Sequence, residues 1–122
     1  MLAVDDNIVN LATLEQELKD KYEVIPMSSG RRAIKFLYKE KVDLILLDVQ
    51  MPIMDGIETL KEIRNLEDGL TIPVIFLTAK NDAESVKRVV ALKPNGYLLK
   101  TMSQEEALKN IDEFFEKQKI LK

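Results

Sequence analysis

The chain has 122 residues, 46% of them hydrophobic, with 18 basic against 21 acidic side chains and a formal charge of -3. That size suits one buried core rather than two, and the mildly acidic balance leaves no electrostatic footprint for nucleic acid, so no direct nucleic-acid contact is expected. Cysteine and histidine are both absent, which excludes disulfides, thiol nucleophiles, imidazole bases and soft-metal sites and leaves carboxylates, hydroxyls, lysine and arginine to carry any chemistry.

In chain order, Leu2 to Val4 reads as a short strand and is followed by Asp5 and Asp6. Ile8, Leu11, Leu14 and Leu18 then recur at helical spacing, and Tyr22 to Met27 forms a second apolar run. Ala33, Ile34, Leu37 and Tyr38 predict the next helix, and VDLILL at 42 to 47 the third strand, which ends at Asp48. Met51, Pro52, Met54, Asp55 and Gly56 make a loop in which Pro52 ends the strand and Asp55 caps a helix carrying Ile57, Leu60 and Ile63. After the Gly- and Pro-punctuated stretch NLEDGLTIP at 65 to 73 come a strand from Pro73 to Leu77, a helix over 81 to 92 with Ala83, Val86, Val89 and Val90, and a strand from Gly96 to Leu99. Ser103 with Glu106 three positions on spells a capping box for a closing helix that turns Leu108, Ile111 and Phe115 toward the core. Alternating strands and helices predict an α/β fold over residues 1 to 122: a doubly wound, five-stranded parallel sheet with five helices on its two faces, a three-layer sandwich. With no membrane-length apolar run and no leader, the expectation is a soluble cytoplasmic protein with no membrane partner.

In a parallel sheet the residues just past each strand share one edge, where ligands bind near the change in strand order. That edge would gather Asp5, Asp6, Asp48, Thr78 and Lys100. Taken singly each has an ordinary structural explanation: an acidic helix start, an acid at a strand exit, a β-branched strand end, a solvated lysine. Together they compose a hard-cation and phosphate site. Carboxylates roughly 4 Å apart repel by about 4 kcal/mol per pair at an effective dielectric near 20. Lys100 alone does not neutralise three charges, whereas Mg²⁺ suits a few carboxylates completed by waters and a phosphate oxygen. An ionised Asp48 is already a nucleophile at neutral pH, so it could accept a phosphoryl group directly, with Lys100 and the Thr78 hydroxyl on the phosphoryl oxygens.

AVDDN at 3 to 7, LLDVQMPIMDG at 46 to 56, PVIFLTAK at 73 to 80 and GYLLK at 96 to 100 resemble, in order and spacing, the blocks of the receiver domains of two-component response regulators, and the likeness covers essentially the whole chain. The resemblance implies a flavodoxin-like sandwich and a phosphorylation switch in which Asp48 takes phosphate from a phosphohistidine on a sensor histidine kinase or histidine phosphotransfer protein. It implies that Asp6 ligates Mg²⁺, that Asp5 does so largely through water, and that Asp48 and the Gln50 backbone carbonyl complete the metal shell. Thr78 and Lys100 would bind the phosphoryl oxygens, and Tyr97 would change rotamer as Thr78 moves, although Tyr97 also reads simply as a half-buried strand aromatic. Gln50 and Lys80 fall where the family tunes dephosphorylation, with an ordinary reading as solvated loop residues. Such a domain catalyses only its own phosphorylation and dephosphorylation, and its output passes to an effector domain or partner, with homodimerisation left open.

The chain departs from the family where Thr101 follows Lys100 in place of the usual proline. A cis peptide there would cost about 3 to 4 kcal/mol, so a trans bond is expected. Pro94 stands where receivers more often carry a small residue. Two other functions fit parts of the pattern. A haloacid-dehalogenase-like aspartyl phosphatase shares the nucleophilic Asp, Thr and Lys but usually needs a second acid where Gln50 stands; a phosphate-independent interaction domain would not need the acidic cluster.

Overall fold

A computed structural model describes residues 1–49, 51, 53–66, 72–78, 87–88, 95–100 and 103–121. The expected alternation is realised as β1 (Leu2–Val4), α1 (Ile8–Leu18), β2 (Ile25–Met27), α2 (Gly30–Leu37), β3 (Ile45–Asp48), α3 (Gly56–Arg64), β4 (Val74–Thr78), β5 (Gly96–Leu99) and α4 (Gln104–Leu121). Of the helix expected over 81 to 92, only Lys87 and Arg88 lie among the described residues, and both are helical.

Each of the four helix starts among the described residues is fixed by a short polar side chain. Asn7 Oδ1 accepts from the amides of Val9 and Asn10, Ser29 Oγ from Arg32 at 3.2 Å, and Asp55 Oδ1 from Glu58 at 2.8 Å. Ser103 caps the closing helix as predicted, its hydroxyl accepting from the Glu106 amide at 3.2 Å and donating to the Glu106 carboxylate at 3.4 Å. Strand limits shift for local reasons. Tyr22 N–H returns to the Leu18 carbonyl at 2.9 Å, so the second strand starts at Ile25 instead of Tyr22. Pro73 has no N–H and serves only as an acceptor, from Ile45 at 3.0 Å, which puts the start of β4 at Val74.

The strands form one sheet in the order β2-β1-β3-β4-β5, every pair parallel. Pro26 is tolerated because β2 is an edge strand. Alternate residues feed two cores. Leu2, Val4, Ile45, Leu47, Val74 and Phe76 meet α2 and α3 on one face; Ala3, Leu44, Leu46, Ile75, Leu77 and Leu98 meet α1 and α4 on the other. Ile57, Leu60, Ile63 and Ile111 are buried as their spacing requires. Ile8 and Tyr38 are not: they are 73% and 74% exposed, because Ile8 opens α1 beyond the sheet edge and Tyr38 is the α2 C-cap.

The middle of α4 is fastened to the turn after α1. Asp112 accepts a hydrogen bond from the Tyr22 hydroxyl and pairs with Lys21 Nζ at 2.9 Å, while the Tyr22 ring stacks on Phe115 with centroids 5.4 Å apart. Burial, and then the bond and charge of Asp112, hold the Tyr22 phenol above its ordinary pKa.

At the other end of the sheet, α3 begins against the backbone of β3. Gly56 donates its amide to Val49 O at 2.9 Å, and a Cβ there would sit 2.2 Å from the Asp48 carbonyl oxygen and 2.9 Å from Val49 Cα. No side-chain rotation relieves a clash with main chain. We predict that Gly56→Ala destabilises the protein by roughly 1–3 kcal/mol, the range for overpacking a core, as read from urea unfolding; an unchanged midpoint would show that α3 can withdraw from β3 without penalty.

Candidate functional site

Strand alternation carries the reactive residues to one place. On the α1/α4 face Ala3 is followed two residues on by Asp5, Leu46 by Asp48, and Leu98 by Lys100. The register pairs Val4 with Leu47, which sets Asp5 level with Asp48, and pairs Asp48 with Leu77 and Leu77 with Leu98. Two acids and a lysine thus continue the hydrophobic rows past the sheet edge, at the change in strand order flanked by β1 and β3.

Asp5 and Asp48 are only 2% and 1% exposed, whereas Asp6 sits on the rim. One carboxylate oxygen from each of Asp5, Asp6 and Asp48 lies within 4.8 Å of the other two. Lys100 Nζ reaches Asp48 Oδ1 at 2.8 Å and Asp5 Oδ2 at 3.7 Å. Asp5 is oriented further by the Asn7 amide, which donates to Oδ1 at 2.9 Å, and by Asn10 Nδ2, which donates to Oδ2 at 3.4 Å. Neither asparagine had been assigned a site role from sequence; the readable signal was an Asn directly after the acidic pair, where a helix begins.

Burial pushes the Asp48 carboxyl up to about 6, with the Lys100 bond and charge pulling it down and neighbouring Asp5 pushing it further up. For Lys100, burial pulls the ammonium down, but the Asp48 hydrogen bond and the fields of Asp48, Asp5 and Asp6 outweigh it, and the net shift is upward. Among the described residues, one ammonium therefore faces three carboxylates. Hard oxygen donors in small number, converging on one point with excess negative charge, fit Mg²⁺.

Thr78 ends β4 one step beyond the Asp48–Leu77 row, paired in register with Leu99. Tyr97 lies half-exposed on β5 opposite Phe76, on the sheet face away from Leu98. Gln50, Pro52, Lys80, Pro94 and Thr101 lie outside the described residues, and with them the Gln50 carbonyl and the Lys100–Thr101 peptide. Beyond Asp48 the loop carries a feature that sequence gave no sign of: Ile53 has φ 68° and is 92% exposed. A β-branched residue there is a true backbone outlier of the kind that collects around functional sites.

Because the folded-state value of Asp48 lies above the ordinary 3.8, the native chain keeps a proton that the unfolded chain has already lost. Its contribution to metal-free stability therefore falls as pH rises from 3.8 to about 6. We predict that Asp48→Asn removes this loss, gaining roughly 3 kcal/mol relative to the parent between the two ends of that window. Chemical denaturation of both proteins in chelator across the pH range measures it; parallel curves would contradict the assignment.

Comparison with known proteins agrees with this geometry. A family profile described as the response regulator receiver domain matches residues 1–112. The alkaline phosphatase synthesis transcriptional regulatory protein PhoP of Bacillus subtilis is 36% identical over 87% of this chain and 44% of its own length. The sensor histidine kinase GacS of Pseudomonas protegens is 33% identical over 87% of this chain and 12% of its own length. The chain thus spans less than half of either curated relative. Among solved structures, the chemotaxis protein CheY4 of Vibrio cholerae superposes with a TM-score of 0.84 at 32% identity, covering 93% of this chain and 95% of that one. The receiver domain of the sensor histidine kinase PA1611 of Pseudomonas aeruginosa, solved with a magnesium ion coordinated in its active site cleft, gives 0.84 at 30% identity over 93% of each chain. Family match, fold and the acidic edge of the sheet agree, and the chain belongs to the response regulator receiver domain family of two-component systems.

Proposed function

We propose that residues 1 to 122 act as one phosphoacceptor switch, in which Asp48 receives a phosphoryl group from a phosphohistidine of a sensor histidine kinase or histidine phosphotransfer protein in the cytoplasm. The observation that carries this reading is the convergence of Asp5, Asp6 and Asp48 within 4.8 Å beside a lysine 2.8 Å from Asp48. A carboxylate oxygen of Asp48 would attack phosphorus in line; the new O–P bond forms as the P–N bond breaks, and the leaving ring nitrogen takes up a proton from solvent. Asp5, Asp6, Asp48 and the Gln50 carbonyl would hold Mg²⁺, which supplies positive charge to the equatorial phosphoryl oxygens. Lys100, now paired with Asp48, would pass to the phosphoryl group as the carboxylate is esterified, and the Thr78 hydroxyl would bond another of its oxygens.

Phosphorylation adds roughly -1.5 to -2 charges to this edge. Driving a two-state surface from 1:99 to 99:1 takes about 5.5 kcal/mol of differential stabilisation. Tyr97, partly open to solvent on the edge strand β5, the helix expected over 81 to 92 and the closing helix expected over 103 to 119 are the surface we assign to that change, read by an effector domain or partner protein. The protein turns over no separate substrate on this reading. A phosphatase reading has less support, since Gln50 stands where such enzymes usually place a second acid.

We predict that incubation with Mg²⁺ and acetyl phosphate adds one phosphoryl group to the intact protein, detected by mass spectrometry. Asp48→Asn should abolish the addition, and Lys100→Ala should slow it by roughly 10²-fold, the scale for losing one preorganised charge-stabilising group. Full labelling of the Asp48→Asn protein would refute the phosphoacceptor assignment.

A further inference from the structure

Beneath the Asp5–Lys100 side of the acidic site, a cavity of about 140 Å³ opens between α1, the β4–β5 part of the sheet and α4. Hydrocarbon forms most of its wall: Leu11 and Leu14 from α1, Leu77 and Leu98 from the sheet, Ala107 from α4. Leu11, Leu77, Leu98 and Ala107 are all buried, yet they leave unfilled the partly open space they border. The gap falls where α4 presents an alanine; one turn further on, Ile111 is completely buried in the same core. Polar groups are contributed by Asn10, Thr13 and Glu17 of α1 and by the Asp5–Lys100 pair. Gln104 ties the two helices by donating to the Glu17 carbonyl at 3.1 Å.

The space is partly open to solvent and polar at one end, and its volume is close to the roughly 150 Å³ that accommodates a benzene-sized guest in an apolar cavity. We propose that this cavity is a binding site for a small neutral molecule with a single aromatic ring and one hydrogen-bond donor, the chemistry of a phenol. The volume admits one ring, and the leucines supply apolar contact on several sides. The polar groups set the substituent: Asp5 and Glu17 are carboxylates, and Lys100 is committed to Asp48 at 2.8 Å. A donor is matched there, while an anionic substituent would be desolvated facing like charge. A ring in this place braces α1 against α4 directly below Lys100. The site goes beyond the phosphoacceptor reading and does not depend on it, because its test reads binding alone.

The test is a titration of the intact ¹⁵N-labelled protein with phenol, benzene and benzoate, followed by amide chemical shifts. Saturable shifts centred on Leu11, Leu14, Leu98 and Ala107 are expected for phenol and benzene, with benzoate weaker by roughly tenfold or more, equivalent to about 1.4 kcal/mol. Ala107→Met, which fills the void from α4, should abolish phenol binding without lowering the melting temperature. Leu14→Phe fills it from α1 and serves the same purpose if the first variant folds poorly. No saturable shift from any of the three probes, benzoate binding as tightly as phenol, or phenol binding retained in a folded filled variant would each overturn the proposal.

Discussion

Parallel pairing of β1 with β3 sets Val4 beside Leu47, and one residue further along two carboxylates arrive side by side at the end of the sheet. That register is enforced from below, because a slip of one residue would send Ala3 and Leu46 into the wrong core and their partners Val4 and Leu47 with them. Hydrophobic burial along the strands therefore maintains a charge arrangement that is unfavourable in itself. Lys100, delivered by β5 from two strands away, offsets part of the repulsion through its contacts with both Asp48 and Asp5. Burial, with Asp5 beside it, raises the Asp48 pKa against the pull of Lys100, and the negative charge that Lys100 leaves unbalanced suits a divalent cation.

Much of this was legible in the sequence because it depends on a period of two. Strand runs that alternate into two cores announce where their next side chain points, so Ala3, Leu46 and Leu98 foretell Asp5, Asp48 and Lys100. Helix caps were equally readable, since Asp55 and Ser103 act through their own neighbours in the chain. Strand limits were less so. Tyr22 and Val24 have the composition of a strand, but Tyr22 bonds back to the end of α1, a tertiary choice that propensity does not record. Ile8 and Tyr38 keep the helical period and still face solvent, because periodicity states which face a residue occupies and not whether anything lies over it.

Backbone geometry around the acidic site was the least accessible. Gly56 could be taken from sequence as a turn residue; its actual constraint is the 2.2 Å that separates a would-be Cβ from the Asp48 carbonyl oxygen, a contact between segments eight residues apart whose closeness is set by how α3 docks on β3. Ile53 has a side chain that disfavours the positive φ it adopts, so local preference points away from the observed loop. Asn10 reaches Asp5 only after α1 has formed and turned the amide back toward the strand. Each of these follows from assembled structure and leaves no local pattern to read.

The Tyr22–Asp112–Lys21 junction bears on how the closing helix answers events at the acidic edge. Its bonds grip α4 near mid-length, with Phe115 stacked behind, while the first turn of the helix lies a few residues after Lys100. Gln104, in the first turn, is bonded to the Glu17 carbonyl as well, so the helix is anchored to α1 and its following turn at two heights. A push arriving from Lys100 would then load α1 and α4 together, as a clamped pair rather than a single free lever.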